Sequence, residues 1–167
     1  KAYPGKPLIL YGHSMGGNIT LDYRKRGEHN QLPAGYIVSA PWVQLVRPVT
    51  GPLYQTVKTL AKLAPSLTIS SGVSSDDLGN PEKVGDYERD PLVHKKISVL
   101  CAADGFDTGR AMAEGCLEDN GGAAGIPMLL MHGSDDKICS TEGSRKVAAI
   151  EPCEYVEWPG LYHEIHN

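Results

Sequence analysis

Gly12-His13-Ser14-Met15-Gly16 is the stretch of this chain whose residue types and spacing most directly suggest chemistry. The pattern G-x-S-x-G lies between the apolar run Pro7-Leu8-Ile9-Leu10-Tyr11 and a segment with helical periodicity. In that strand-to-helix context a serine sits on a tight turn with its hydroxyl exposed. The flanking glycines are expected to make room, a Cβ at position 12 or 16 colliding with neighbouring chain, and Ser14 is expected to hold a strained backbone. A serine hydroxyl is a weak nucleophile at neutral pH, so it needs a base within hydrogen-bond reach and a carboxylate that orients the base.

Both must follow on later loops. His132-Gly133-Ser134-Asp135-Asp136-Lys137 comes after the apolar run Met128-Leu129-Leu130-Met131, and Pro159-Gly160-Leu161-Tyr162-His163 comes after Glu154-Tyr155-Val156-Glu157-Trp158. An acid and then a histidine, each after a strand, is the chain order that accompanies a serine on such a turn. The carboxyl ends of strands are also where open α/β sheets place their sites. Asp135 and Asp136 compete for the acid, with position relative to the strand favouring Asp136. His163 and His166 compete for the base; His163 follows the loop glycine more closely, while His13, His29, His94 and His132 fall outside the required order. The backbone N–H of Met15, directly after the serine, is the expected oxyanion donor.

These groups need elements to carry them. The run 7–11 reads as a strand buried on both faces. A helix from Met15 to about Arg26 stops at Gly27 as a C-cap, and Gly35 to Ala40 is the next strand, completing a right-handed β-α-β unit. From Trp42 to about Gly125 the pattern changes, with a helix at Leu53–Leu63 followed by a Ser/Gly/Asp-rich stretch through Asp90. Alternation then returns: strand 128–131, a helix from Thr141 to Ile150 capped by Ser140, and strand 154–158. The expected organisation is a core segment 1–41 bearing the serine turn, a cap or lid insertion and return to the core over 42–125, and a core segment 126–167 with the acid and histidine loops. The fold class is α/β, a mostly parallel sheet interrupted by a helical excursion.

The 167 residues fit one domain, and 41% hydrophobic with 22% charged residues is an ordinary globular composition. A net charge of −4 and a pI near 5.8 give no basic face, so nucleic acid is not an expected partner. No apolar run approaches the roughly 18 residues that a membrane-spanning helix needs. The four cysteines, Cys101, Cys116, Cys139 and Cys153, lack zinc-type spacing and read as free thiols. His163-Glu164-Ile165-His166 is not the helical i, i+4 pair that presents two ligands on one face. Neither a metal nor a cofactor is therefore expected.

Taken together, Gly12-His13-Ser14-Met15-Gly16-Gly17, Ser39-Ala40-Pro41, Asp90-Pro91-Leu92, His132-Gly133-Ser134-Asp135-Asp136-Lys137 and Tyr162-His163 resemble the monoacylglycerol lipase and lysophospholipase group of α/β-hydrolases, in that group's order and over nearly the whole chain. The resemblance implies Asp136 as the acid and His163 as the base, a lid over an acyl-chain tunnel between strand and acid, and Tyr87 at the polar glycerol end. It implies hydrolysis of lipid monoesters through an acyl-enzyme on Ser14. Lysophospholipase, thioesterase or small-ester esterase activity stands as the alternative on the same fold, and a silent lipid-binding domain as the alternative outside catalysis. The substrate partner is then a small lipid ester, with transient membrane-surface contact through the cap and a cytoplasmic or membrane-peripheral location; the oligomeric state is open. The group's first strands and its H-G oxyanion loop have no counterpart before Lys1, and the chain stops four residues after His163. A longer gene product is the corresponding expectation, with residues 1–167 alone inactive and poorly folded.

Overall fold

The computed structural model describes residues 4–49, 51–80 and 87–166. In chain order its elements are β1 (Ile9–His13), α1 (Met15–Arg26), β2 (Gly35–Ser39), α2 (Gly51–Leu63), β3 (Thr68–Ser70) and α3 (Ser75–Leu78). A single 3-10 turn (Tyr87–Arg89) follows, then β4 (Lys96–Ser98), α4 (Val99–Ala113), β5 (Met128–Gly133), α5 (Thr141–Ile150) and β6 (Glu154–Trp158). Four of the strands form one parallel sheet in the order β1-β2-β5-β6.

The two central strands, β2 and β5, bury Tyr36, Val38, Met128 and Leu130, the near-continuous apolar runs of strands covered by helices on both faces. They anchor a core completed by Leu21 of α1, Met112 of α4 and Val147 of α5. β1 departs from the sequence expectation in two ways. Its ladder with β2 runs on through Gly12↔Val38 and His13↔Ser39, so the strand lies two residues later than the apolar run and ends directly before Ser14. It also lies at the sheet edge among the described strands, so Ile9 and Tyr11 remain about half exposed rather than buried on both faces.

α1 carries Arg24, Lys25 and Arg26 in its last turn, where cations meet the negative end of the helix dipole. Gly27 closes it by donating its N–H to the Tyr23 carbonyl at 2.8 Å, in an extended rather than left-handed conformation. The glycine is needed for space: a Cβ there would fall 2.4 Å from the Tyr23 ring. Ser140 precedes α5 as expected, but its side chain makes no capping bond; its backbone carbonyl accepts from the Gly143 N–H at 3.0 Å.

Within 42–125 the chain builds more than helix and loop, although residues 81–86 of that stretch lie outside the described residues. β3 and β4 pair as a short antiparallel ribbon that leads straight into α4. Residues of α4 reach both the main core, through Met112, and a second cluster, where Ala102 and Ala103 meet Val57 of α2. Asp107 of α4 ties the two helices together, accepting from the Tyr54 hydroxyl and Lys58 ammonium of α2 and from Arg110 on its own helix. The excursion is thereby fastened to a helix that is itself part of the core.

Candidate active site

Ser14 stands between β1 and α1 with φ 55° and ψ −118°, a left-handed backbone that a non-glycine residue adopts only when its surroundings compel it. Its N–H donates to the Ser39 carbonyl at 3.0 Å, and its own carbonyl accepts from Trp42 N–H at 2.9 Å and Asn18 N–H at 3.1 Å. The buried Asn18 side chain in turn donates to the carbonyls of Trp42 (2.7 Å) and Gly105 (3.1 Å), locking α1 against α4. A Cβ at Gly12 would lie 2.2 Å from Thr20 Oγ1 and 2.3 Å from the Gly16 carbonyl oxygen, so the first motif glycine is obligatory. Gly16 corrects the sequence expectation, since a Cβ there would meet nothing within 4 Å. The crowded second position is Gly17, where a Cβ would lie 2.9 Å from Pro41 of the loop after β2.

The acid and histidine loops leave the ends of β5 and β6. Asp136 accepts from His163 Nδ1 at 2.6 Å and from His132 Nε2 at 3.0 Å on one carboxylate oxygen. Its other oxygen accepts the backbone N–H groups of Ile138 (2.7 Å) and Cys139 (2.9 Å). Burial alone would push this carboxyl up, but the bonds from the His132 and His163 imidazoles and from the Ile138 N–H hold it well below the usual carboxylate range. An ionised carboxylate only accepts, so His163 carries its proton on Nδ1 and leaves Nε2 as a neutral acceptor. The same reasoning protonates His132 on Nε2, where both neighbours are acceptors, and turns Nδ1 to the Ser144 hydroxyl at 2.7 Å. Asp135 is exposed and takes the Ser134 hydroxyl at 2.7 Å instead. Sequence order set His132 aside, yet it is fully buried and holds the acid from behind; its i, i+4 spacing to Asp136 was the only signal.

Ser14, Met15, Tyr87 and Cys139 border one cavity of about 560 Å³, whose wall continues through Trp42, Leu45, Leu53, Val57, Ile97 and Phe106. The buried Cys139 thiol shares this cavity with Ser14, and its sulfur lies within 4.8 Å of donor atoms of Asp136 and His163. Ser14, Met15, Tyr87 and Cys139 thus share one cavity wall, and the Cys139 sulfur links that wall to the Asp136–His163 pair. The Met15 N–H belongs to the first turn of α1, where backbone donors lack helical partners and the dipole favours an anion.

His13 stands between two other imidazoles: its ring is 4.7 Å from that of His163 and 5.2 Å from that of the exposed His166. His13 Nδ1 is 3.2 Å from the Ser39 hydroxyl. Burial, then the neighbouring His163 and His166, lower its pKa from 6.5 to about 4. The His13 ring is thus neutral at neutral pH.

Two outcomes follow from this geometry. Gly12→Ala and Gly17→Ala should each lower the unfolding free energy by about 1–3 kcal/mol through overpacking, whereas Gly16→Ala should be neutral or slightly stabilising on α1, as urea unfolding will show. For His13, the unfolded chain takes up the proton first, so stability is full above pH 6.5 and is lost as the pH falls toward about 4. His13→Phe keeps a ring and removes the titration. Its unfolding free energy should therefore fall less over that window than that of the wild type; equal slopes would remove His13 as the source.

Comparison with known proteins places this arrangement. The chain is 32% identical over 171 residues to the monoacylglycerol lipase of Mycolicibacterium smegmatis, which covers 99% of this chain and 58% of that protein. It is 33% identical over 165 residues to phospholipase YtpA of Bacillus subtilis, covering 96% of this chain and 62% of that one. The crystal structure of a soluble variant of monoglyceride lipase from Saccharomyces cerevisiae, in complex with a substrate analogue, superposes with a TM-score of 0.80 at 30% identity, covering 98% of this chain and 56% of that one. The chain therefore spans little more than half the length of these relatives and shares their α/β-hydrolase fold. Residues 1–167 match the Hydrolase_4 family, described as serine aminopeptidase, S33, from end to end, and the chain belongs to that family of α/β-hydrolases.

Proposed function

We propose that this protein is a serine carboxylic-ester hydrolase acting on lipid monoesters, releasing fatty acid and glycerol from monoacylglycerol. The observation that carries the reading is the 2.6 Å bond from His163 Nδ1 to Asp136, which leaves Nε2 free to accept, with the His163 ring 4.7 Å from that of His13, the residue directly before the strained Ser14. Nε2 takes the Ser14 proton as Oγ attacks the ester carbonyl, and the charge that develops on the carbonyl oxygen meets the Met15 N–H. The imidazolium, steadied by Asp136, returns its proton to the departing glycerol oxygen. Water then repeats the sequence on the acyl-enzyme.

The cavity supports a single-chain lipid. Its volume of about 560 Å³ is that of a site for one small ligand, and Trp42, Leu45, Leu53, Val57, Ile97 and Phe106 give it an apolar wall for one acyl chain. Tyr87 is proposed to meet the polar end. The relatives named monoacylglycerol or monoglyceride lipase favour glycerol as the headgroup, while the similarity to a phospholipase keeps lysophospholipids as the second reading. We further propose that 42–125 acts as the cap and touches a membrane surface transiently. Among the described residues, no helix is long and apolar enough to cross one.

In the full-length protein Ser14→Ala and His163→Ala should each abolish turnover, with the double variant scarcely worse, because members of such a triad act as a unit. Asp136→Asn should cost about 10⁴ in kcat by disturbing the imidazole tautomer, whereas Asp135→Asn should cost little. Multiplicative losses in the double variant, or the reverse ranking of the two aspartates, would refute these roles. On substrate, monoacylglycerol should turn over faster than triacylglycerol. Comparable rates, or a strong preference for lysophospholipid, would displace the monoacylglycerol reading.

A further inference from the structure

Acyl transfer leaves the Cys139 side chain without a task, although it stands in the middle of the site. Its backbone N–H bonds to Asp136 Oδ1, which draws the thiol in toward the carboxylate. Cys139, Asp136 and His163, all three buried, each present one donor atom, and these atoms lie within 4.8 Å of one another. A water oxygen can complete the set, as at three-ligand zinc sites. The cavity bordered by Ser14 and Cys139 gives an approach from outside.

Thiolate, imidazole, carboxylate and one further oxygen form a tetrahedral set of the kind zinc prefers. Zinc-to-ligand bonds of about 2.0–2.3 Å imply donor atoms about 3.5 Å apart, so the set must close by roughly 1 Å, within reach of side-chain rotation. We propose that Cys139, Asp136 and His163 form an inhibitory site for zinc and similar thiophilic divalent ions. On binding, the S–H bond breaks, its proton passes to solvent and a sulfur–metal bond forms. Thiolate and carboxylate together then cancel the two charges of the ion, which satisfies a buried site that would not tolerate a residual charge. Before a metal arrives, burial and the adjacent Asp136 charge keep the thiol protonated and therefore inert.

Inhibition follows from either mode of attachment to His163. An ion on Nε2 occupies the lone pair that would receive the Ser14 proton. An ion on Nδ1 displaces the ring proton to Nε2, with the same result. The effect on rate rests on the acyl-transfer reading proposed above; the binding itself does not.

The test uses full-length wild type, Cys139→Ala and Cys139→Ser, each titrated with cadmium while the ultraviolet absorbance of cadmium–thiolate bonds is followed. Each is also assayed for ester turnover with added zinc, scored against its own metal-free rate. The wild type should show a thiolate absorbance that both variants lack. Zinc should slow it by about 10-fold or more, reversibly with chelator, and should slow the variants less than about 2-fold. Equal absorbance in all three proteins, or equal sensitivity to zinc, overturns the site. If none of the three turns over ester, the acyl-transfer reading fails, and the difference in cadmium absorbance alone decides for or against the metal site.

Discussion

A carboxylate removed from water must find its hydrogen bonds within the protein, and the side chain of Asp136, fully buried, finds four. Leaving such a charge unpaired would cost several kcal/mol, so the surroundings of Asp136 are under stronger constraint than any other part of the site. The loop after β5 must turn back to present the N–H groups of Ile138 and Cys139. β5 must place His132 beneath it, and α5 must bring Ser144 to fix the ring of His132. The loop after β6 then completes the set with His163. Sheet order, helix packing and loop shape all converge on satisfying one oxygen pair.

How far this was readable from the sequence depends on whether the signal is local. The order of serine, acid and histidine candidates is a local matter at each step, because every candidate follows an apolar run, and the residues alone narrowed the acid to Asp135 or Asp136 and the base to His163 or His166. Choosing between Asp135 and Asp136 could not be done on residue type; the difference lies in which carboxylate folds back onto the N–H groups of its own loop. His132, a strand residue outside the serine–acid–histidine order, carries no signal beyond its i, i+4 spacing to Asp136. α4 carries Gly105 and Gly109, residues that weaken a helical pattern, one lying against the Trp42 ring and the other against the Val43 carbonyl. The exposure of β1 depends on sheet order, which is set by partners distant in sequence.

The same distinction separates the glycines of the serine turn. Gly12 and Gly17 are required by contacts with Thr20 and Pro41, residues eight and twenty-four positions away. Gly16, which belongs to the pattern, has open space around it. A sequence pattern records which residues recur together and does not say which of them are under steric pressure. Here the pressure falls on one motif residue and on one neighbour outside the five-residue pattern.

The four bonds to Asp136 are also unequal in origin: three come from its own strand and loop, between His132 and Cys139, and one from the loop after β6. That loop rests closely on Gly133, where a Cβ would lie 2.3 Å from the Leu161 and Tyr162 carbonyl oxygens. If the 159–166 segment lifts away, the carboxylate keeps three partners, while the β5 loop gives up two bonds, from Asp135 N–H to the Leu161 carbonyl and from Gly160 N–H to the Ser134 hydroxyl. The two halves of the site thus differ in what they lose on separation. Mild heating should detach this segment as a unit before the sheet opens, giving a still folded protein that rebuilds the Asp136–His163 bond on cooling by re-docking one short segment.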